Sequence, residues 1–118
     1  MSRELSLAEV FQLGYYWETK ILLTAVKLDV FSAIDERPKS AQDIAGRLHD
    51  DPHNLRLHLK SLFAIKLVAK EGDLYGNSST SLKHLVRHSS QYVGHLLLLH
   101  DAEWNNWGKL EEPIRTGR

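Results

Sequence analysis

Asp51-Pro52-His53-Asn54-Leu55-Arg56-Leu57-His58-Leu59-Lys60-Ser61-Leu62-Phe63-Ala64-Ile65-Lys66 runs directly into Leu67-Val68-Ala69-Lys70-Glu71-Gly72-Asp73-Leu74-Tyr75-Gly76-Asn77. Asp51 is a side chain suited to cap a helix, and Pro52 sits at the first helical position, where no N–H is required. Leu55, Leu59, Leu62 and Phe63 recur at helical spacing and give that helix a core face, ending near Lys66. The two short apolar runs that follow flank Glu71-Gly72-Asp73 and read as a hairpin. Upstream, Ser40-Ala41-Gln42-Asp43 opens another helix: Ser40 can cap it, and Asp43 suits its positive end. Ile44 and Leu48 share one of its faces. Helix, short turn, helix and two-stranded hairpin is the order of a winged helix-turn-helix unit, here about Ser40–Asn77. A short helix at Val30–Ile34 precedes it and ends at Asp35-Glu36-Arg37-Pro38, because proline disfavours helix in the residue before it.

Outside this unit the apolar pattern changes. From Leu7 to Lys27 the residues Leu7, Val10, Phe11, Tyr15 and Ile21 keep helical spacing, but Leu13, Tyr16, Leu23 and Val26 fill the other faces. A short helix at Ser78–Arg87 leads to a final long helix predicted over about Gln91–Arg115. That helix carries one stripe through Tyr92, Leu96, Leu99, Trp107, Leu110 and Ile114, and a neighbouring one through Val93, Leu97, His100 and Trp104. Pro113 is expected to strain its last turns. Helices apolar on more than one side need cover on more than one side. In a chain of 118 residues the second cover is expected to be another subunit.

Composition narrows the function classes. The length suits one domain, and 15 basic residues balance 15 acidic ones. The chain has no cysteine, which excludes disulfides and thiolate chemistry and fits a cytoplasmic location. The longest stretch free of Lys, Arg, Asp and Glu is His88–His100, short of the roughly 20 apolar residues that span a bilayer. No membrane association is therefore expected, and the N-terminus Met1-Ser2-Arg3-Glu4 lacks the apolar core of a signal peptide.

Candidate chemistry is sparse. His84 and His88 are four apart on a predicted helix, but no third ligand stands at a matching position, so no metal is expected. No serine stands in a nucleophile elbow, and neither a G-x-G-x-x-G nor a P-loop is present. Arg56 and Lys60 share a face that could touch phosphates, yet Ser40–Asn77 holds five basic and five acidic residues, and the wing tip is Glu71-Gly72-Asp73. Duplex affinity rests largely on phosphate neutralisation, so nucleic acid is disfavoured as a partner. His100, Trp104 and Trp107 lie along one helix, where two indoles and an imidazole can hold a flat aromatic ligand.

Several stretches in this order resemble the N-terminal dimerisation domain of the plant- and bacterial-type small-molecule O-methyltransferases, the family of caffeate and hydroxyindole O-methyltransferases. Ala25-Val26-Lys27-Leu28-Asp29-Val30-Phe31 is similar to that family's A-x-x-L-G-[IV]-F run, with Asp29 where glycine is usual. Ser40–Leu48 is similar to its T-x-x-E-[LI]-A-x-x-L. Leu55–Lys70 follows its leucine-rich helix and first wing strand, with Lys66 where glycine is common, and Leu74-Tyr75-Gly76-Asn77 resembles the second wing strand. Trp107-Gly108-Lys109-Leu110 and Ile114–Arg118 look like its W-x-x-L and terminal G-[RK] elements.

The resemblance implies a two-domain, S-adenosylmethionine-dependent enzyme of which residues 1–118 are a single dimerisation and winged-helix domain. The Rossmann-like domain that holds the cofactor and the catalytic histidine is absent from these residues. No catalytic, cofactor-binding or metal residue is assigned here, and the chain is expected not to methylate by itself. It also implies an intertwined homodimer in which Tyr16 and Trp17 approach the partner's acceptor pocket. Leu97, His100, Asp101, Trp104 and Trp107 line one wall of that pocket, which takes a small aromatic, hydroxyl-bearing acceptor. The expected fold is mainly α, with a two-stranded wing between long terminal helices. The alternatives are a stand-alone winged-helix DNA-binding transcriptional regulator, and a ligand-binding or scaffold dimer without activity.

Overall fold

The computed structural model describes residues 3–118. They form eight helices and a small antiparallel sheet. In chain order these are α1 (Leu7–Gln12), α2 (Tyr16–Leu28), α3 (Val30–Ile34), β1 (Lys39–Ser40), α4 (Ala41–Leu48), α5 (Pro52–Ala64), β2 (Val68–Glu71), β3 (Leu74–Asn77), α6 (Ser79–His84), α7 (Gly94–Gly108) and α8 (Glu111–Thr116).

The central helices start where capping chemistry places them. The Ser40 hydroxyl accepts from the Asp43 N–H at 3.1 Å, and the Asp51 carboxylate accepts from the Asn54 N–H at 2.8 Å with Pro52 next in line. Asp43 does not reach back to its cap; its carboxylate accepts from Arg47 Nε at 3.2 Å one turn on. Leu55, Leu59 and Leu62 are buried as their spacing requires. Phe63, expected on the same face, is about half exposed. Leu59 and Leu62 join Val26, Val30, Phe31, Ile34, Ile44 and Val86 in one continuous core. Ser81, fully buried among them, donates to the Leu67 carbonyl at 2.6 Å, so its hydroxyl is satisfied.

The sheet has three strands in the order β1-β3-β2, one more than the hairpin alone. After Pro38 the backbone is extended, and Lys39–Ser40 pair with Tyr75 and Leu74 on the free edge of β3. Two residues are too few to show an alternating pattern, which is why the strand is invisible in the sequence. Gly76 makes room for this approach, since a Cβ there would lie 3.1 Å from Pro38 Cγ. At the end of β3 the Asn77 amide donates to the Phe31 and Asp35 carbonyls, each at 2.9 Å, and ties the sheet to α3.

Both long terminal helices are broken. The expected helix over Leu7–Lys27 is interrupted at Leu13-Gly14-Tyr15. No residue of α1 is buried, so no tertiary contact offsets the roughly 1 kcal/mol that Gly14 costs a helix. The expected helix over Gln91–Arg115 begins only at Gly94 and breaks after Gly108. A proline ring collides with the carbonyl four residues earlier, here that of Lys109. The helix therefore stops and restarts with Pro113 in the first turn of α8, where its missing N–H is no loss.

Besides Asp35 (φ 56°) after α3, three helices end on residues of positive φ that are not glycine: Asp29 (φ 65°), His49 (φ 58°) and Lys66 (φ 69°). At the last of these, Leu67 N–H reaches the Leu62 carbonyl and Lys66 N–H the Phe63 carbonyl, at 2.9 and 3.0 Å, a Schellman motif. Asp29 and Lys66 are the two positions where the resembled family carries glycine, and the positive φ explains that preference. Asp and His tolerate the conformation better than Lys does. Lys66→Gly is therefore expected to stabilise the fold by about 0.5–1 kcal/mol in urea denaturation, the left-handed strain removed slightly exceeding the added unfolded-state entropy. A loss of stability would place the constraint elsewhere.

Asp35 and His88 pair across the fold at 2.9 Å. The hydrogen bond to Asp35, aided by its charge, raises the His88 pKa above the ordinary 6.5. A raised folded-state value means that the pair stabilises fully below pH 6.5 and that this contribution fades as pH climbs through the raised value. The stability difference between wild type and His88→Ala should therefore shrink on going from acid to alkaline solution, as thermal melts across that range will read.

Candidate functional site

α2 and α7 lie side by side, and between their outer faces is a cavity of about 490 Å³ lined by Thr19, Leu23, His100, Trp104, Trp107 and Gly108. Thr19 and Leu23 stand one turn apart on α2, as His100 and Trp104 do on α7. The wall is mostly aromatic and apolar, with an imidazole and a hydroxyl as its polar points. Its volume is within the roughly 300–1,000 Å³ of small-molecule sites. Trp107 is 69% exposed, so this side of the cavity is open in a single copy.

Of the residues predicted from sequence, His100, Trp104 and Trp107 come together here. Leu97 instead packs against the core below. Asp101 points away from the cavity onto α2, where Lys20 Nζ and Lys27 Nζ lie 3.5 and 3.3 Å from its carboxylate. Its side chain is only 12% exposed. Lys20 also sits over the Trp104 ring, 4.9 Å from the centroid. One carboxylate on α7 and two ammonium groups on α2 thus hold the helix pair together and set the Trp104 ring. Tyr16 and Trp17 are one turn earlier on α2, outside the cavity, and largely exposed. With Tyr15 they make a small aromatic cluster, at centroid distances of 5.0 Å (Tyr15–Trp17) and 5.6 Å (Tyr16–Trp17).

Sequence reasoning missed Thr19 and Leu23, because their place depends on the docking of two helices some eighty residues apart. The histidine pair falls apart in the structure. α6 ends at His84, whose ring meets the Gln91 carbonyl, while His88 lies beyond the helix against Asp35. Among the described residues no three His, Asp or Glu side chains are grouped to hold a metal.

A mainly helical domain with a small antiparallel sheet, greasy at both ends and holding an aromatic-walled cavity, is the class that this fold and site define. Within it, the chain belongs to the family of O-methyltransferase dimerisation domains, whose family model matches residues 11–87. It is 33% identical over 104 residues to the tetracenomycin polyketide synthesis 8-O-methyl transferase TcmO of Streptomyces glaucescens, covering 86% of this chain and 31% of that protein. It is 29% identical over 103 residues to the N,N-dimethyltransferase OxyT of Streptomyces rimosus, covering 86% of this chain and 30% of that one. Among solved structures, an O-methyltransferase family protein from Burkholderia thailandensis superposes with a TM-score of 0.82 at 24% identity, over 98% of this chain and 35% of its own. Human N-acetylserotonin methyltransferase, solved with SAM, gives 0.79 at 22% identity over 100% of this chain and 37% of its own. The chain therefore spans about a third of the length of the relatives it matches. These relatives give the DNA-binding alternative no support.

Nucleotide-type cofactors such as SAM are held at a glycine turn that leads from a strand into a helix. Among the described residues the left-handed glycines are Gly72, in the β2–β3 turn, and Gly117, after α8. Neither leads from a strand into a helix, the junction that cradles such cofactors.

Asp101→Ala should loosen α7 from α2. The expected stability loss is about 0.5–1 kcal/mol, since both lysines are half in solvent, with Trp emission shifted to the red as the Trp104 ring loses its neighbour. Unchanged stability and emission would mean that apolar contacts alone dock the two helices.

Proposed function

We propose that this chain is the dimerising and acceptor-binding part of a small-molecule O-methyltransferase, built around a winged-helix unit at residues 40–77 and paired as an intertwined homodimer. The observation that carries the reading is the distribution of exposed apolar side chains. Apart from Leu28, Leu57, Phe63 and Leu74, the large ones all lie between Leu5 and Trp17 or between Val93 and Ile114. The molecule is correspondingly stretched, with a radius of gyration of 17.1 Å and a long axis of 49 Å. A compact chain of this length has a radius of about 13.5 Å. Apolar surface held away from the body in this way is surface meant to be covered.

In the dimer, α1 and the first turn of α2 lie against the partner, bringing Tyr16 and Trp17 to the open side of the partner's cavity. The acceptor, a flat aromatic molecule bearing a hydroxyl, stacks on Trp104 and Trp107 with His100 and Thr19 at its edge. This part contributes ring positioning and exclusion of water, which convert a bimolecular encounter into an oriented one. SAM and the proton-accepting base belong to another part of the enzyme. No described helix is long and apolar enough to cross a membrane, which fits the proposed cytoplasmic setting.

Sedimentation velocity at micromolar concentration should show dimers, and Trp17→Ala should weaken association more than His84→Ala does. A well-folded monomer would overturn the reading. Equal effects of the two substitutions would show that α2 packs within its own subunit.

A further inference from the structure

A second cleft of about 360 Å³, sharing no residue with the aromatic cavity, lies among the start of α4, one face of α5 and the β2–β3 hairpin. Arg56 and Lys60 stand one turn apart on α5, Lys70 comes from β2, and Tyr75 of β3 lies buried at its base with Lys70 Nζ 5.7 Å from the ring centroid. Ser40 and Gln42 complete the wall, and Asp73 is its one carboxylate. Three cations thus face one acid in a chain whose overall charge is zero.

Among the described residues, Arg56, Lys60 and Lys70 have no carboxylate within salt-bridge distance, Asp73 included. Helix α5 contains no acid at all, so Arg56 and Lys60 repel each other at a spacing where a Glu–Lys pair would have helped the helix. Three cations against one carboxylate leave the cleft with an excess of positive charge that an external anion can neutralise.

We propose that this cleft binds the phosphate group of a small phosphorylated molecule. A guanidinium and two ammonium groups match a dianion, and the Ser40 hydroxyl and Gln42 amide offer further hydrogen bonds of the kind that fix phosphate oxygens. The cleft is concave and sized for one small group. A nucleic-acid duplex is a poorer fit, because Asp73 lines the cleft and Glu71 stands on the same hairpin, where a second run of phosphates would meet them. The site shares no residue with the aromatic cavity, so it stands or falls independently of the proposed acceptor binding.

The test is an NMR titration of the intact, nitrogen-15-labelled chain with inorganic phosphate and, separately, glycerol 3-phosphate, each against sodium chloride at matched ionic strength. Saturable shifts are expected at Ser40, Gln42, Lys70 and Tyr75 with either phosphate probe. Tighter binding of the ester would identify a phosphorylated small molecule as the natural ligand. Equal binding would show that the phosphate group alone carries recognition. The double variant Arg56→Gln, Lys60→Gln should weaken binding by about tenfold or more. Lys83→Gln, on α6 away from the cleft, should leave it unchanged. Shifts that scatter over all exposed lysines, that chloride reproduces, or that survive in the double variant would overturn the proposal. So would tight binding of a short DNA duplex that neither phosphate probe displaces.

Discussion

The C-terminal half of α2 is buried, with Leu23, Ala25 and Val26 almost without solvent contact, while its first turn holds Tyr16 and Trp17 in the open. One helix therefore belongs to two surfaces. Its inner residues anchor α3 and α5, its flank carries Lys20 and Lys27 to Asp101 of α7, and its outer turn is exposed. The aromatic cavity exists because α7 docks along α2, with Leu97 and Leu98 against the core and Trp104 and Trp107 on the face beside Thr19 and Leu23. Without the α2–α7 pairing the cavity would have only one wall.

The rest of the body is a tightly tied clasp around that helix. Asn77 pins the sheet to the end of α3 through two carbonyls, and His58 meets the Ile21 carbonyl at 3.0 Å, linking α5 to α2. Arg87, against Asp29 and the Ser32 hydroxyl, fastens the connection that leads to α7. The Asn77 bonds satisfy carbonyls at the end of α3, where backbone groups run short of intrahelical partners. Side-chain hydrogen bonds and the shared apolar core thus both tie one element to the next.

Much of the body was legible because it rests on local chemistry. The caps at Ser40 and Asp51, the proline at position 52, the glycine turn of the hairpin and the leucine spacing of α5 each act over a few residues, and each appears in the structure where it was read. The aromatic wall of the cavity was partly legible for the same reason: His100, Trp104 and Trp107 share one helical face. Asp101 sits next to that face in sequence, yet it turns to the lysines of α2, and periodicity has no means to report an attraction between residues 20 and 101.

The sequence by itself determined which segments are helical in the body, where they begin, and that both extremities carry more grease than one copy can bury. Those properties follow from propensity, capping and hydrophobic period, all short-range. Only the tertiary structure decided where the terminal helices break, that β1 joins the sheet, and that Thr19 and Leu23 complete the cavity. A break depends on whether packing offsets a glycine or yields to a proline, and a cavity depends on which distant faces meet. Both are set by contacts between elements.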